Sequence, residues 1–363
     1  MTALLIVGAG PTGLTAAVEL ARRGLVARVI DKKTDPLPLS RAVGINARSL
    51  TLLEASGVTE RLIAAGIRVR ELLIYDRDRP ISRIRLDREV LPYNFMLALP
   101  QDETETILRT RFEELGGRAE FGVALEGLAI DTATARATLT HGSDGRREEA
   151  AFDLVLGADG VRSTVRRAAG LPFEGFDLSG VWGVADIDSA AWPHQEWACL
   201  FLLPPGGLVV VIPIGTARYR IVANRPKSLE AVPLALGVDR LRRTAEFEIA
   251  IRQVPAYGAG PVYLAGDAAH CHSPAGGRGM NLGIADAASF ARRLSGDGSG
   301  DGLAGYSAER HAHGRDTIRL SERLRRTMTA ESVLGRCLVR AGLRLVGRTP
   351  ALQRRLAREA LDV

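Results

Sequence analysis

The apolar run Ala3 to Val7 leads straight into Gly8, Gly10 and Gly13, and this stretch constrains the fold more than any other. A short run of apolar residues suits a strand buried on both faces of a parallel sheet. Gly8 permits the tight turn, Gly10 lets the backbone approach a pyrophosphate, and Gly13 lets the following helix pack on the strand. That helix is expected from Leu14 to Arg23, with Ala17, Leu20 and Ala21 at helical spacing. Its amino terminus aims unpaired N–H groups and the positive end of a dipole at phosphate. Gly24 ends it, and Val26 to Ile30 reads as a second strand. Asp31 follows, close to the offset of about 20 residues at which an acid takes a ribose 2′-hydroxyl. An acid there disfavours a 2′-phosphate, so the adenosine expected is that of FAD or NAD, not NADP. Alone, the segment also reads as a glycine-rich turn without a ligand.

Two later segments carry related chemistry. Asp153 to Leu156 reads as a strand ending in Gly157-Ala158-Asp159-Gly160, with Arg162, Ser163 and Arg166 at the start of a helix. These offer N–H groups, a hydroxyl and guanidinium forks to phosphate; the alternative is an Asp-Gly turn capped by Ser163. Val262 to Leu264 reads as another buried strand, closed by Gly266-Asp267, where a carboxylate can accept hydrogen bonds from sugar-chain hydroxyls. The chain then runs through Pro274 and Gly276-Gly277-Arg278-Gly279 into a helix from about Met280 to Leu294. That helix amino terminus suits negative charge on a reduced ring.

The chain has 363 residues, enough for one large domain or two modest ones. The stretch Leu4 to Ala21 is apolar, but Gly8, Gly10, Pro11, Gly13 and Glu19 interrupt it, which argues against a signal peptide or a span. Cys199, Cys271 and Cys337 are scattered, which fits reduced thiols in a cytoplasmic protein and no disulfide framework. His270 and His272 flank Cys271, but alternate residues in a Gly/Pro-rich loop suit a tetrahedral metal poorly, so no metal is expected. The net charge of +6 is concentrated at the end: from Arg315 onward there are twelve arginines and five acids. Arg336, Arg340, Arg344 and Arg348 recur every four residues near Leu334, Leu338, Leu345 and Val346, as in an amphipathic helix. The leading expectation is a solvated basic face over the core, ahead of contact with an anionic membrane surface. The stripe has no interleaved aromatics, which argues against nucleic acid.

Between residues 181 and 222, β-branched runs separated by turns suggest an antiparallel sheet: Val181 to Ile187, Ala198 to Leu203, Leu208 to Ile214 and Arg218 to Val222. Glu71 to Tyr75 and Ile81 to Leu86 are candidates to join it. His141 to Arg147 reads as a hairpin loop, and Ser295 to Gly302 as a link to a final helical region. The expected fold is α/β. A discontinuous Rossmann-type FAD-binding domain takes residues 1–70, 99–175 and 256–294, and an inserted, mostly antiparallel substrate domain takes 71–98 and 176–255. A C-terminal helical tail takes 303–363.

With three segments in this order, the chain resembles the class A FAD-dependent monooxygenases, the aromatic hydroxylases of the 4-hydroxybenzoate hydroxylase type. The resemblance runs from Met1 to about Arg310. Ser40-Arg41-Ala42, Pro100-Gln101 with Glu105 and Leu108, and Tyr306-Ser307-Ala308-Glu309-Arg310 match further family segments. The resemblance implies that Gly8, Gly10, Gly13 and Asp31 hold the FAD adenosine and pyrophosphate, and that Arg41 and Gln101 touch the phosphate and ribityl regions. It places Asp159 and Gly160 at a site shared with transient NADPH or NADH, Asp267 on the ribityl chain, and Gly279, Met280 and Asn281 at the ring. Pro274 would line the face that meets oxygen, with His272 nearby as a candidate for proton transfer. Arg278 departs from the family, which more often has Gln there. The implied activity is hydroxylation of an aromatic, hydrophobic or polycyclic substrate with NAD(P)H and O2 through a flavin C4a-hydroperoxide. The expected pocket walls are Tyr93, Phe95, Phe201 and Leu203 to Val211. Two alternatives stand beside this: an FAD-dependent reductase acting on a lipid-like substrate, and a flavin-binding protein without turnover. A halogenase reading fails for want of a suitably placed lysine.

Overall fold

The computed structural model describes residues 2–34, 42–88, 91–297 and 301–362. Its centre is a six-stranded sheet in which Leu4–Val7 lies between Arg28–Asp31 and Leu154–Gly157, parallel to both. Val262–Leu264 continues the sheet beyond Leu154–Gly157, and Ala119–Phe121 continues it beyond Arg28–Asp31, again in parallel. Gly258–Ala259 adds an antiparallel edge. Every residue of Leu4–Val7 is buried, as a strand covered on both faces requires. The helices Pro11–Ala21 and Gly279–Leu294 pack on each other with nearly all of their residues buried. Because the neighbouring parallel strands come from distant parts of the chain, the three glycine-bearing turns converge on one edge of the sheet. Ligands bind outside the carboxyl ends of such strands, where the strand order switches direction.

The second sheet has seven strands, in the order Arg240–Phe247, Trp182–Asp188, Arg218–Ala223, Gly207–Gly215, Ala198–Leu203, Glu71–Asp76, Arg79–Arg85. Neighbours are antiparallel except Ala198–Leu203 and Glu71–Asp76, which run parallel. Its edge strand Arg240–Phe247 was not foreseen: it is largely exposed and rich in charge, so it lacks the apolar alternation that marks a half-buried strand. The turn foreseen at His141 to Arg147 joins two strands of a separate three-stranded sheet, Val123–Ile130, Ala135–His141 and Arg147–Phe152.

The two faces of the seven-stranded sheet do different things. One face packs Tyr75, Trp192, Phe201, Val209, Val211, Tyr219 and Ile221 into a sealed core. The other turns Trp182, Leu200, Leu202, Leu208, Val210, Val222 and Phe247 towards Ala47, Tyr93 and Met96, on the side of the parallel sheet. Phe201, expected in the pocket wall, therefore stands on the wrong face: strand alternation places it beside Tyr75, stacked at 4.7 Å between ring centroids. Phe95 belongs to the core of the parallel sheet, whereas half-buried Tyr93 touches both cores.

Three helices end the chain: Ala304–Met328, Val333–Arg348 and Pro350–Leu361. The last two cover part of the second sheet, burying Leu343, Ala357 and Leu361 against Ile74, Ile84 and Leu86. Among the described residues, no helix is long and apolar enough to cross a membrane.

The contrast between faces is measurable in denaturant unfolding. Phe201→Ala is expected to cost about 3–5 kcal/mol, as for a fully buried aromatic. Val210→Ala, on the half-open face, is expected to cost about 1 kcal/mol or less.

Candidate active site

At the first turn, Gly8 has φ of +107°, and a β-carbon there would stand 2.3 Å from the Ala158 carbonyl oxygen. Only glycine lets the first and second segments touch this closely. A β-carbon at Gly13 would meet the Gly8 carbonyl oxygen at 1.9 Å, so the helix packs on its own turn. Gly10 is different: the nearest atom to a β-carbon there is Glu105 Oε1 at 3.9 Å. Its backbone is open on the side where a diphosphate would lie. Gly10 caps Pro11–Ala21 without a side-chain hydrogen bond, and the first turn contains no acid. Free N–H groups and a positive dipole end thus face that space.

Asp31 is buried at the strand end. Its Oδ2 accepts from Ala9 N at 2.8 Å and its Oδ1 from Lys33 N at 2.9 Å. The carboxylate is held by the glycine turn and keeps lone pairs for ribose hydroxyls. Gln101 begins the helix Gln101–Glu114 and donates from Nε2 to Glu105 Oε1 at 2.7 Å. Burial raises the pKa of Glu105 against the opposing pull of Gln101 and Lys33. Arg41 lies outside the described residues.

In the second segment the polar side chains serve the local fold. Asp159 Oδ2 accepts from Thr164 N at 2.7 Å and Val165 N at 3.2 Å, and Ser163 Oγ accepts from Arg166 N at 2.9 Å. Both side chains cap the helix Thr164–Ala168, following the capping alternative. Arg166 is buried, donating to the Ala268 and Val161 carbonyls at 2.9 Å each, with its guanidinium 3.9 Å from the Phe173 ring centroid. It ties the second segment to the third. Asp159 Oδ1 is buried without a partner, and burial raises this carboxyl's pKa. Gly160 sits in the adjoining turn with φ of +78°.

The third segment rests on a buried charge that the motif reading missed. Asp286, fully buried, accepts from Gly266 N at 3.0 Å and Arg310 Nε at 2.6 Å, and lies 2.6 Å from His270 Nε2. Burial would raise its pKa, but Arg310 and His270 outweigh burial and hold it below the ordinary value. Tyr306 completes the anchor by donating to the Leu264 carbonyl at 2.9 Å. The Tyr306 to Arg310 motif is thus a clamp beneath the Gly266-Asp267 turn, and His270 is one of its members. The signal was present in the sequence: Asp286 is a lone acid among Ile284, Ala285, Ala287 and Ala288. Asp267 itself is exposed on the turn.

Pro274 opens a tight turn closed by Gly277 N on the Pro274 carbonyl at 2.9 Å. Arg278 caps the helix Gly279–Leu294 without a side-chain hydrogen bond, so the main-chain N–H groups of Gly279, Met280 and Asn281 are free for a ligand. Asn281 staples the loop: Nδ2 donates to the Gly44 and Gly277 carbonyls at 2.9 Å each, and Oδ1 accepts from Asn46 N at 2.9 Å. With the amide so engaged, what Asn281 offers a ring is its main chain. Arg278 does not carry its charge into that space. Its guanidinium donates to Asp362 Oδ1 at 3.1 Å and to the Glu359 carbonyl, latching the last helix to the loop.

His272 donates from Nδ1 to the Ser273 carbonyl at 2.8 Å, which leaves Nε2 as an acceptor sealed from solvent without a partner. Burial depresses its pKa to about 4. The ring is neutral at ordinary working pH, so it suits accepting a hydrogen bond better than trading protons near neutrality.

Two tests follow. Asp286→Asn should leave Arg310 buried beside a neutral group, costing about 3–5 kcal/mol in unfolding and loosening the Gly266 turn. For His272, the unfolded ring protonates below about pH 6.5 while the folded ring stays neutral. Stability should therefore be full above that pH and fall as the pH drops towards about 4. His272→Gln should flatten that part of the pH–stability curve; an unchanged curve would contradict the assignment.

The FAD binding domain family matches residues 1–321. The 6-methylpretetramide 4-monooxygenase of Streptomyces rimosus is 36% identical over 329 residues, covering 85% of this chain and 58% of that one. The pentachlorophenol 4-monooxygenase of Sphingobium chlorophenolicum is 33% identical over 332 residues, covering 85% and 61%. The chain spans about three-fifths of the length of these relatives. A solved structure, the p-nitrophenol 4-monooxygenase of Pseudomonas putida, superposes with a TM-score of 0.91 over 100% of this chain and 98% of its own, at 20% identity, a likeness of fold. With the turns, the sheet order and the glycine contacts in place, the chain belongs to the FAD binding domain family.

Proposed function

We propose that the chain is an FAD-dependent monooxygenase that uses NADPH or NADH and O2 to hydroxylate a hydrophobic or polycyclic aromatic substrate. One observation carries the substrate class. The sheet face turned towards the cofactor loops is apolar at Leu200, Leu208, Val210, Val222 and Phe247. Arg220, buried on that side, is held within the fold: it donates to Asp186 at 2.8 and 2.9 Å and to the Ala42 carbonyl at 3.1 Å, and Arg243 shares the same carboxylate at 2.7 Å. An apolar wall whose buried arginine is held by the protein's own acceptors favours a hydrophobic ring.

The cofactor supplies hydride acceptance and oxygen activation when bound. The protein's part is to bind, orient and keep water away. Gly8, Gly10, Gly13 and Asp31 would hold the adenosine and diphosphate, with Arg41 and Gln101 alongside. Asp267 would take the ribityl hydroxyls, and the main-chain N–H groups of Gly279, Met280 and Asn281 would face the ring. Asp159 and Gly160 would border the approach of the nicotinamide. Pro274 would shape the face that meets oxygen, and His272 would accept a hydrogen bond there. The three thiols of Cys199, Cys271 and Cys337 are free, which supports a reducing cytoplasm.

Two measurements test this reading. In anaerobic stopped-flow with NADPH, and separately NADH, a hydrophobic phenol from a graded panel should accelerate bleaching of the flavin band. Bleaching that ignores every aromatic would point instead to a reductase. Val210→Asp should lower kcat/KM for that phenol by about tenfold or more, through a charge on the apolar wall, with FAD content unchanged.

A further inference from the structure

We propose that the outer face of the helix Val333–Arg348 docks the protein on an anionic lipid surface. Leu334, Val333, Leu338 and Leu345 are 70%, 69%, 64% and 57% exposed, the most exposed large apolar side chains among the described residues. All four stand on this one helix. Leu334, Leu338, Ala341 and Leu345 recur at helical spacing and form a single line along it. The opposite face already does the folding, burying Leu343 and packing Val339 and Val346 on the second sheet. The outer leucines are therefore not needed to hold the helix in place.

Charge selects the occupant. Arg344 and Arg348 are exposed and border the line of leucines, and the helix contains no acid. Exposed Arg354, Arg355 and Arg358 follow on the next helix. A second copy docked through the same face would set arginine against arginine. The exposed line also has no aromatic side chain, the residue type that marks the centre of protein–protein interfaces. An aliphatic line bordered by arginines matches a helix lying in a lipid interface, its leucines among acyl chains and its guanidiniums at anionic headgroups. The leading expectation from sequence was a solvated basic face over the core. The structure buries Leu343, packs Val346 beside it, and turns Leu334, Leu338 and Leu345 outward.

The test is sedimentation of the full-length, FAD-loaded chain with vesicles of phosphatidylcholine alone or enriched in phosphatidylglycerol. The expected result is binding to the phosphatidylglycerol vesicles that weakens as salt rises. Leu338→Asp with Leu345→Asp, and separately Arg344→Glu with Arg348→Glu, should each weaken it by about tenfold or more while FAD content and far-ultraviolet dichroism stay unchanged. Failure of the wild-type chain to bind those vesicles would overturn the proposal, as would equal binding by both double variants. Sedimentation showing a dimer that Leu338→Asp dissolves would also overturn it, because a second copy would then own the face.

Discussion

The structure depends on how closely three backbone turns approach one another at the carboxyl edge of the parallel sheet. Gly8 lies against Ala158, Gly13 lies against Gly8, and Thr12 Oγ1 would be 2.5 Å from a β-carbon at Gly266 and 2.3 Å from one at Gly283. Apart from the local Gly13–Gly8 contact, each joins segments far apart in sequence, and each would clash if a single carbon were added. The first turn, the Gly266 turn and the helix Gly279–Leu294 therefore form one packed unit. A cradle built this way holds main-chain N–H groups with little freedom to move, as the proposed grip on a diphosphate and a ring would need.

Buried charge fixes what steric fit leaves loose. Asp286 draws Gly266, His270 and Arg310 to one point, and Arg166 bridges Val161 and Ala268. Breaking such a pair strands a charge out of water, so these ties resist drift of the loops they hold. On the other side of the site, Asp186 takes both Arg220 and Arg243, with the Arg220 and Asp186 side chains at 0% exposure. Their mutual satisfaction leaves the neighbouring sheet face apolar. Rigid polar anchoring on one side and an apolar wall opposite fit the water-excluding site of the proposed reaction.

Much of this was legible in the residues, for a physical reason. A parallel α/β fold follows from apolar runs that end in glycine turns, because spacing and composition are local properties. Side-chain roles at the second turn were harder to read, since helix caps and phosphate ligands draw on the same residue types. Asp159 and Ser163 turned out to cap, and Arg166 to bridge. Phe201 shows another limit: alternation sorts a strand into two faces but does not say which face meets the cofactor. Arg278 shows a third, for its partners Glu359 and Asp362 lie in a helix whose docking depends on tertiary packing.

The most direct measurement of the central claim is a fluorescence titration of the flavin-free chain with FAD and, in parallel, with FMN. If the three turns form one cradle, the chain takes up one FAD, and FMN binds much more weakly, because it lacks the adenosine that the Gly8 to Gly13 turn and Asp31 are arranged to hold. Equal affinity for the two flavins, or no uptake of FAD, would contradict the account.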